Sequence, residues 1–96
     1  MSTDYMREFP DYDDTLILPE GWTDISWHND ACPSFVRKFG DVEYRIFCDY
    51  VDPDRREMHG AMRFVIYIED EVNYTCIGQA DTIKEAIDCV NAEVNK

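Results

Sequence analysis

The sequence predicts an α+β fold: an antiparallel sheet of four to five strands with one C-terminal helix packed on one face. Two apolar-alternating runs, residues 43–50 and 62–69, flank a charged loop, which is the pattern of half-buried antiparallel strands. Shorter alternating stretches lie on either side, each bounded by Gly, Pro, Asn or Asp. Near the C-terminus, Thr82 and Glu85 form an S/T-x-x-E capping box, and helical spacing of apolar residues follows.

Residues 1–15 read as an acidic arm with interleaved aromatics, Tyr5, Phe9 and Tyr12, and residues 16–96 as one α+β domain. Pro19 and Gly21 punctuate the entry to that domain. Residues 22–27 alternate and predict a first strand, with Thr23, Ile25 and Trp27 on one face and Trp27 in the core. Asn29 and Asp30 suit a capped turn, and residues 34–39 predict a second strand with Phe35 and Phe39 inward. In residues 43–50 one face carries Tyr44, Ile46, Cys48 and Tyr50. Asp52-Pro53 opens a charged loop that can hold a helical turn. Met62, Phe64, Ile66 and Ile68 share a face of the next strand, and residues 73–79 form the last. Ile83, Ala86, Ile87, Val90 and Val94 make one stripe of the final helix, which must bury against the sheet. The other sheet face then carries Phe47, Val65 and Tyr67, an interaction surface unless the arm covers it.

With 96 residues the chain has room for one modest core, and 45% hydrophobic residues argue for a folded domain. The net charge of -12, from 21 acids and 9 bases, disfavours direct binding of nucleic acid or an anionic membrane. Its natural complement is a basic protein. In residues 1–24 seven acids face Arg7 alone. Cys32, Cys48, Cys76 and Cys89 form no CxxC pair, so a zinc ribbon or redox motif is not indicated. An acidic N-terminus without an apolar segment, and no run of transmembrane length, predict a cytoplasmic protein with reduced thiols.

No nucleophile–base–orienter set is legible, so no catalytic residue is expected. Ser26, His28, Asp30 and Cys32 resemble catalytic parts only by being neighbours. A ligand or metal site around His28 and Cys32 is an alternative, but supplies two ligands where structural zinc wants four. The acid groups at 11–14 and 69–71 lack the glycine and terminal glutamate of a calcium loop. No phosphate-cradling glycine motif is present, so no cofactor or metal is expected.

The stretch 18–35, LPEGWTDISWHNDACPSF, resembles a segment found in small uncharacterised proteins of bacteria and their phages. In size and acidity the chain is also similar to phage-encoded inhibitors of host defence, including anti-CRISPR proteins. That likeness implies a non-catalytic inhibitor whose carboxylates imitate a phosphate row and block a basic, nucleic-acid-handling host protein, such as a CRISPR effector. The acids and aromatics expected to meet that partner are Asp11, Tyr12, Asp13, Asp14, Trp22, Asp24, Asp49, Asp52, Asp54, Glu69, Asp70 and Glu71. The competing expectation is a homodimeric interaction module that uses the sheet face and edge.

Overall fold

The computed structural model describes residues 4–56, 62–70 and 74–95. Five strands, β1 (Thr23–Asp24), β2 (Ser34–Phe39), β3 (Val42–Cys48), β4 (Phe64–Glu69) and β5 (Tyr74–Ala80), form one sheet in sequence order. Every neighbouring pair is antiparallel, so each connection returns the chain to the adjacent strand. Helix α2 (Ile83–Val94) packs on β4 and β5, as an α+β fold requires. A four-residue helix α1 (Tyr5–Glu8) lies in the N-terminal segment, capped by the Asp4 side chain on the Met6 N–H.

Alternation in β3 and β4 places the core. Tyr44, Ile46 and Cys48 of β3 and Tyr50 just beyond it are buried, with Phe64 and Ile66 from β4. Phe35 from β2, Ala80 from β5 and Ala86 and Val90 from α2 join them. The α2 start follows its capping residue: Thr82 Oγ1 accepts the Glu85 N–H at 3.2 Å and contacts Glu85 Oε1 at 3.0 Å. Ile83, Ile87 and Val94 flank the buried pair, while Lys84 and Asp88 pair across one exposed turn at 3.0 Å.

The arm does not lie on the second sheet face. Tyr5 belongs to the core cluster, Tyr12, Leu16 and Leu18 pack against it, and Phe9 is also buried. The segment thus covers the core face beside α2, and leaves the face of Phe47, Val65 and Tyr67 without a covering layer among the described residues.

Two strands depart from the alternation reading. β1 is two residues long rather than six, because Asp24 Oδ1 accepts the Ser26 N–H at 2.9 Å and folds the chain into a local turn. Ser26 is consequently buried, and Trp27 is exposed (49%) rather than in the core. In β5 the register shifts between Ile66 and Tyr67: Cys76 opposes Tyr67, but Gly78 opposes Ile66. The extra residue at Ile77 is a β-bulge, which turns Gly78 toward α2 and Gln79 away from it. The charged loop holds a 3₁₀ turn at Pro53–Arg55, and its remaining residues 57–61 lie outside the described set.

At Gly78, β5 comes close to Cys89 of α2. A Cβ there would meet Cys89 Sγ at 2.9 Å. Gly78→Ala is expected to destabilise the fold by about 1 kcal/mol, the low end for overpacking because a thiol can rotate away. Adding Cys89→Ala is expected to return most of that loss; urea-unfolding midpoints of the three variants check it.

Candidate functional site

The predicted site residues fall in three places. Asp11, Tyr12, Asp13, Asp14, Asp49, Asp52 and Asp54 converge where the N-terminal segment crosses the exit of β3. Glu69 and Asp70 lie at the opposite end of the sheet, where Glu69 opposes Glu43. Trp22 and Asp24 lie at β1, beside neither group, and Glu71 is outside the described residues. The sequence left open whether these acids form one surface; β3 and β4 hold the two acidic ends apart.

The convergent group is built around Tyr12. Its half-buried hydroxyl reaches the Cys48 and Asp49 carbonyl oxygens at 3.0 and 2.9 Å, and accepts from Arg63 Nη2 at 3.0 Å. Burial pushes this phenol well above the usual range, so it stays protonated and serves as an anchor. The Tyr12 ring packs on Tyr5 and Tyr50, with centroids 5.8 and 5.2 Å away. Arg63 also donates from Nε to the Asp49 carbonyl at 3.1 Å and pairs with Asp14 at 2.8 Å.

Arg55 makes the second junction. It pairs with Asp11 at 2.7 Å, lies 4.0 Å from Asp13, and stacks over the Tyr50 ring at 4.3 Å. Asp13 accepts the Val51 and Asp52 N–H groups at 2.9 and 3.0 Å. Asp52 caps the 3₁₀ turn through the Asp54 N–H at 3.0 Å. Arg56 bonds the Tyr50 and Val51 carbonyls at 2.7 and 3.0 Å. Six aspartates therefore share this seam with three arginines, which leaves an excess of negative charge.

Several carboxylates here are held in the ionised form. For Asp13 burial raises the pKa, but the Asp52 and Val51 N–H groups outweigh it and the net shift is downward. Asp14 is lowered by the Thr15 N–H and by Arg63. Glu8 is lowered by its hydrogen bond with His28, at 3.0 Å. Asp24 uses both oxygens on backbone, accepting Tyr5 N–H at 2.7 Å as well as that of Ser26. It ties the N-terminal segment to β1, a role its position in sequence did not signal.

The two residues of the alternative centre, His28 and Cys32, differ in exposure. His28 is exposed and engaged by Glu8, whereas Cys32 is buried. No group of three or more His, Cys, Asp or Glu side chains able to hold a metal gathers among the described residues. Burial also pushes the Cys48 thiol up, which removes its nucleophilic form. Hollows of about 370 and 170 Å³ open along the N-terminal segment, the larger walled by Met6, Phe9 and Pro10 and the smaller by Arg63 and Thr82. No described helix is long and apolar enough to cross a membrane.

Sequence reasoning missed Arg55 and Arg63 as the organisers of the seam. The available signal was local: each follows or precedes a strand end and lies near an aromatic, but their acidic partners are about 40 to 50 positions away in sequence. No protein-family model, curated protein or solved structure matches the chain.

Asp13 and Asp14 titrate below their ordinary value of 3.8. Their contribution to stability is therefore full above that value and is lost as pH falls through the lower folded-state values. The urea midpoint is expected to drop between pH 7 and pH 3, and Asp13→Asn is expected to narrow that difference. Tyr12→Phe, by removing an anchor of two chain segments, is expected to cost about 1–2 kcal/mol at pH 7. Urea titrations at both pH values check all three outcomes.

Proposed function

We propose that this protein is a non-catalytic acidic binder that occupies a basic surface on a nucleic-acid-handling protein and so blocks it. One observation carries the reading: six aspartates from two chain segments, 11–14 and 49–54, gather in a single seam where three arginines oppose them among the described residues. Asp11, Asp52 and Asp54 are exposed at its rim. Asp13 and Asp14 are ionised near neutral pH, as aspartates are, and their partners extend that charge to lower pH. Fixed carboxylates lose little freedom on meeting a cationic groove, and a charge of -12 steers the encounter.

The mechanism is competition. Lysine and arginine side chains that would take phosphates take this row of carboxylates instead, and the counterions of both surfaces are released. Tyr12 and Tyr50 brace the seam from beneath. The phage anti-defence setting, with a CRISPR effector as one such partner, rests on the likeness in size and acidity and on the 18–35 segment alone.

Capture on the immobilised protein from a bacterial lysate at low salt is expected to retain a nucleic-acid-binding protein and to lose it as salt is raised. Asp11→Asn, Asp52→Asn and Asp54→Asn combined are expected to weaken retention by about tenfold, at ~0.5 kcal/mol for each exposed carboxylate. The asparagine at 52 keeps a capping side chain, so the turn is preserved. Capture that is independent of salt, or equal for wild type and triple variant, would remove this reading.

A further inference from the structure

Going beyond that reading, we infer that the uncovered outer face of the sheet is a self-association surface, and that a second copy of this chain is its occupant. Both α2 and the N-terminal segment lie on the core face. On the outer face Phe47 and Tyr67 meet edge to face at 5.6 Å, and Tyr67 stacks on Tyr74 at 4.7 Å with ring planes 6° apart. Tyr74 is half exposed (50%), so the aromatic row runs to the β5 edge and continues into solvent. Tyr74–Ala80 contains no charged residue and no proline, and so lacks two common protections of an exposed edge strand.

The charges on this face select the occupant. Lys38, Glu43, Arg45 and Glu69 share it through the register of β2, β3 and β4, and they sum to zero in a protein whose net charge is -12. None of the four is in an ion pair among the described residues. Glu43 and Glu69 stand directly opposite each other, an arrangement that repels. Arg45 lies over the Phe47 ring at 4.9 Å, donates to Ser34 Oγ at 3.3 Å and hydrogen-bonds Tyr74, so its charge is held on this face. A strongly basic partner would relieve the two glutamates and meet Arg45 with like charge. An acidic partner would do the reverse. An occupant of mixed sign satisfies both needs, and a second copy presents two bases for the glutamates and two acids for Arg45 and Lys38. Two copies also meet here where their mutual repulsion is least.

The area sets the strength. Four strands of six or seven residues, about 4.8 Å apart and rising about 3.3 Å per residue, span roughly 15 by 20 Å, and the two-residue β1 adds little. Two such faces bury less than the roughly 1,200–2,000 Å² of stable complexes, so the pairing is weak and reversible.

Sedimentation of the full chain from about 10 µM to about 1 mM spans the range in which weak pairs form. The mass is expected to rise from 11.3 kDa toward twice that value. Raising salt is expected to strengthen the association, because it screens the repulsion between two acidic copies, whereas salt weakens capture of a basic protein. The two claims therefore fail separately. Arg45→Glu, which leaves three acids facing three acids, and Tyr74→Lys, a change at a half-exposed position, are each expected to keep the chain monomeric while circular dichroism stays unchanged. A mass of one chain at every concentration in high salt would overturn the inference, as would association that both folded variants retain.

Discussion

The structure depends on covering one face of a five-stranded sheet with a single short helix. Helix α2 has 12 residues, about 18 Å of length and roughly 10 Å of width. It reaches β4 and β5. The core side of β2 and β3, with Phe35, Tyr44 and Cys48, needs another cover, and the N-terminal segment provides it. Tyr5 enters the core cluster and Tyr12 bonds the backbone at the end of β3, so a stretch whose regular structure is the four-residue α1 behaves as a second layer.

That arrangement explains how a chain with 21 acids folds. A covering segment rich in aspartate would repel its neighbours if its carboxylates were merely solvated. Instead Asp13 and Asp24 accept backbone N–H groups, and Asp11 and Asp14 meet arginines. Exposed ion pairs contribute little alone. Here they are joined to aromatic packing of Tyr12 and Tyr50 under Arg63 and Arg55, which fixes the geometry at small entropic cost. The same network leaves the acid excess on the seam, while the outer sheet face is balanced in sign.

Legibility followed the range of the interactions. The capping box of α2 and the alternation of β3 and β4 are local patterns, and the structure follows them except at Met62, which the alternation puts on the inward face but which precedes β4 and is exposed. The short β1 and the β5 bulge are not local in that sense. The first follows from Asp24 bonding two separate N–H groups, one of them on Tyr5, and the second accompanies the close approach of Cys89 on α2 to Gly78. At the candidate site, acidity and aromatic anchors could be read from composition and spacing. Which acids meet could not, because Asp11, Asp14 and Tyr12 meet arginines that lie 40 or more positions away in the chain.

The sequence by itself determined the fold class, the identity of the core face on the two central strands and the start of the final helix. Period-two alternation and a side-chain cap act within a few residues, and no distant partner is needed to impose them. Only the tertiary structure decided that the N-terminal segment is a layer, that the acids divide between opposite ends of the sheet, and that the outer face is neutral. Those outcomes depend on strand register and on contacts between positions far apart in the chain. Register is set by the summed packing of the whole sheet, which no single stretch encodes.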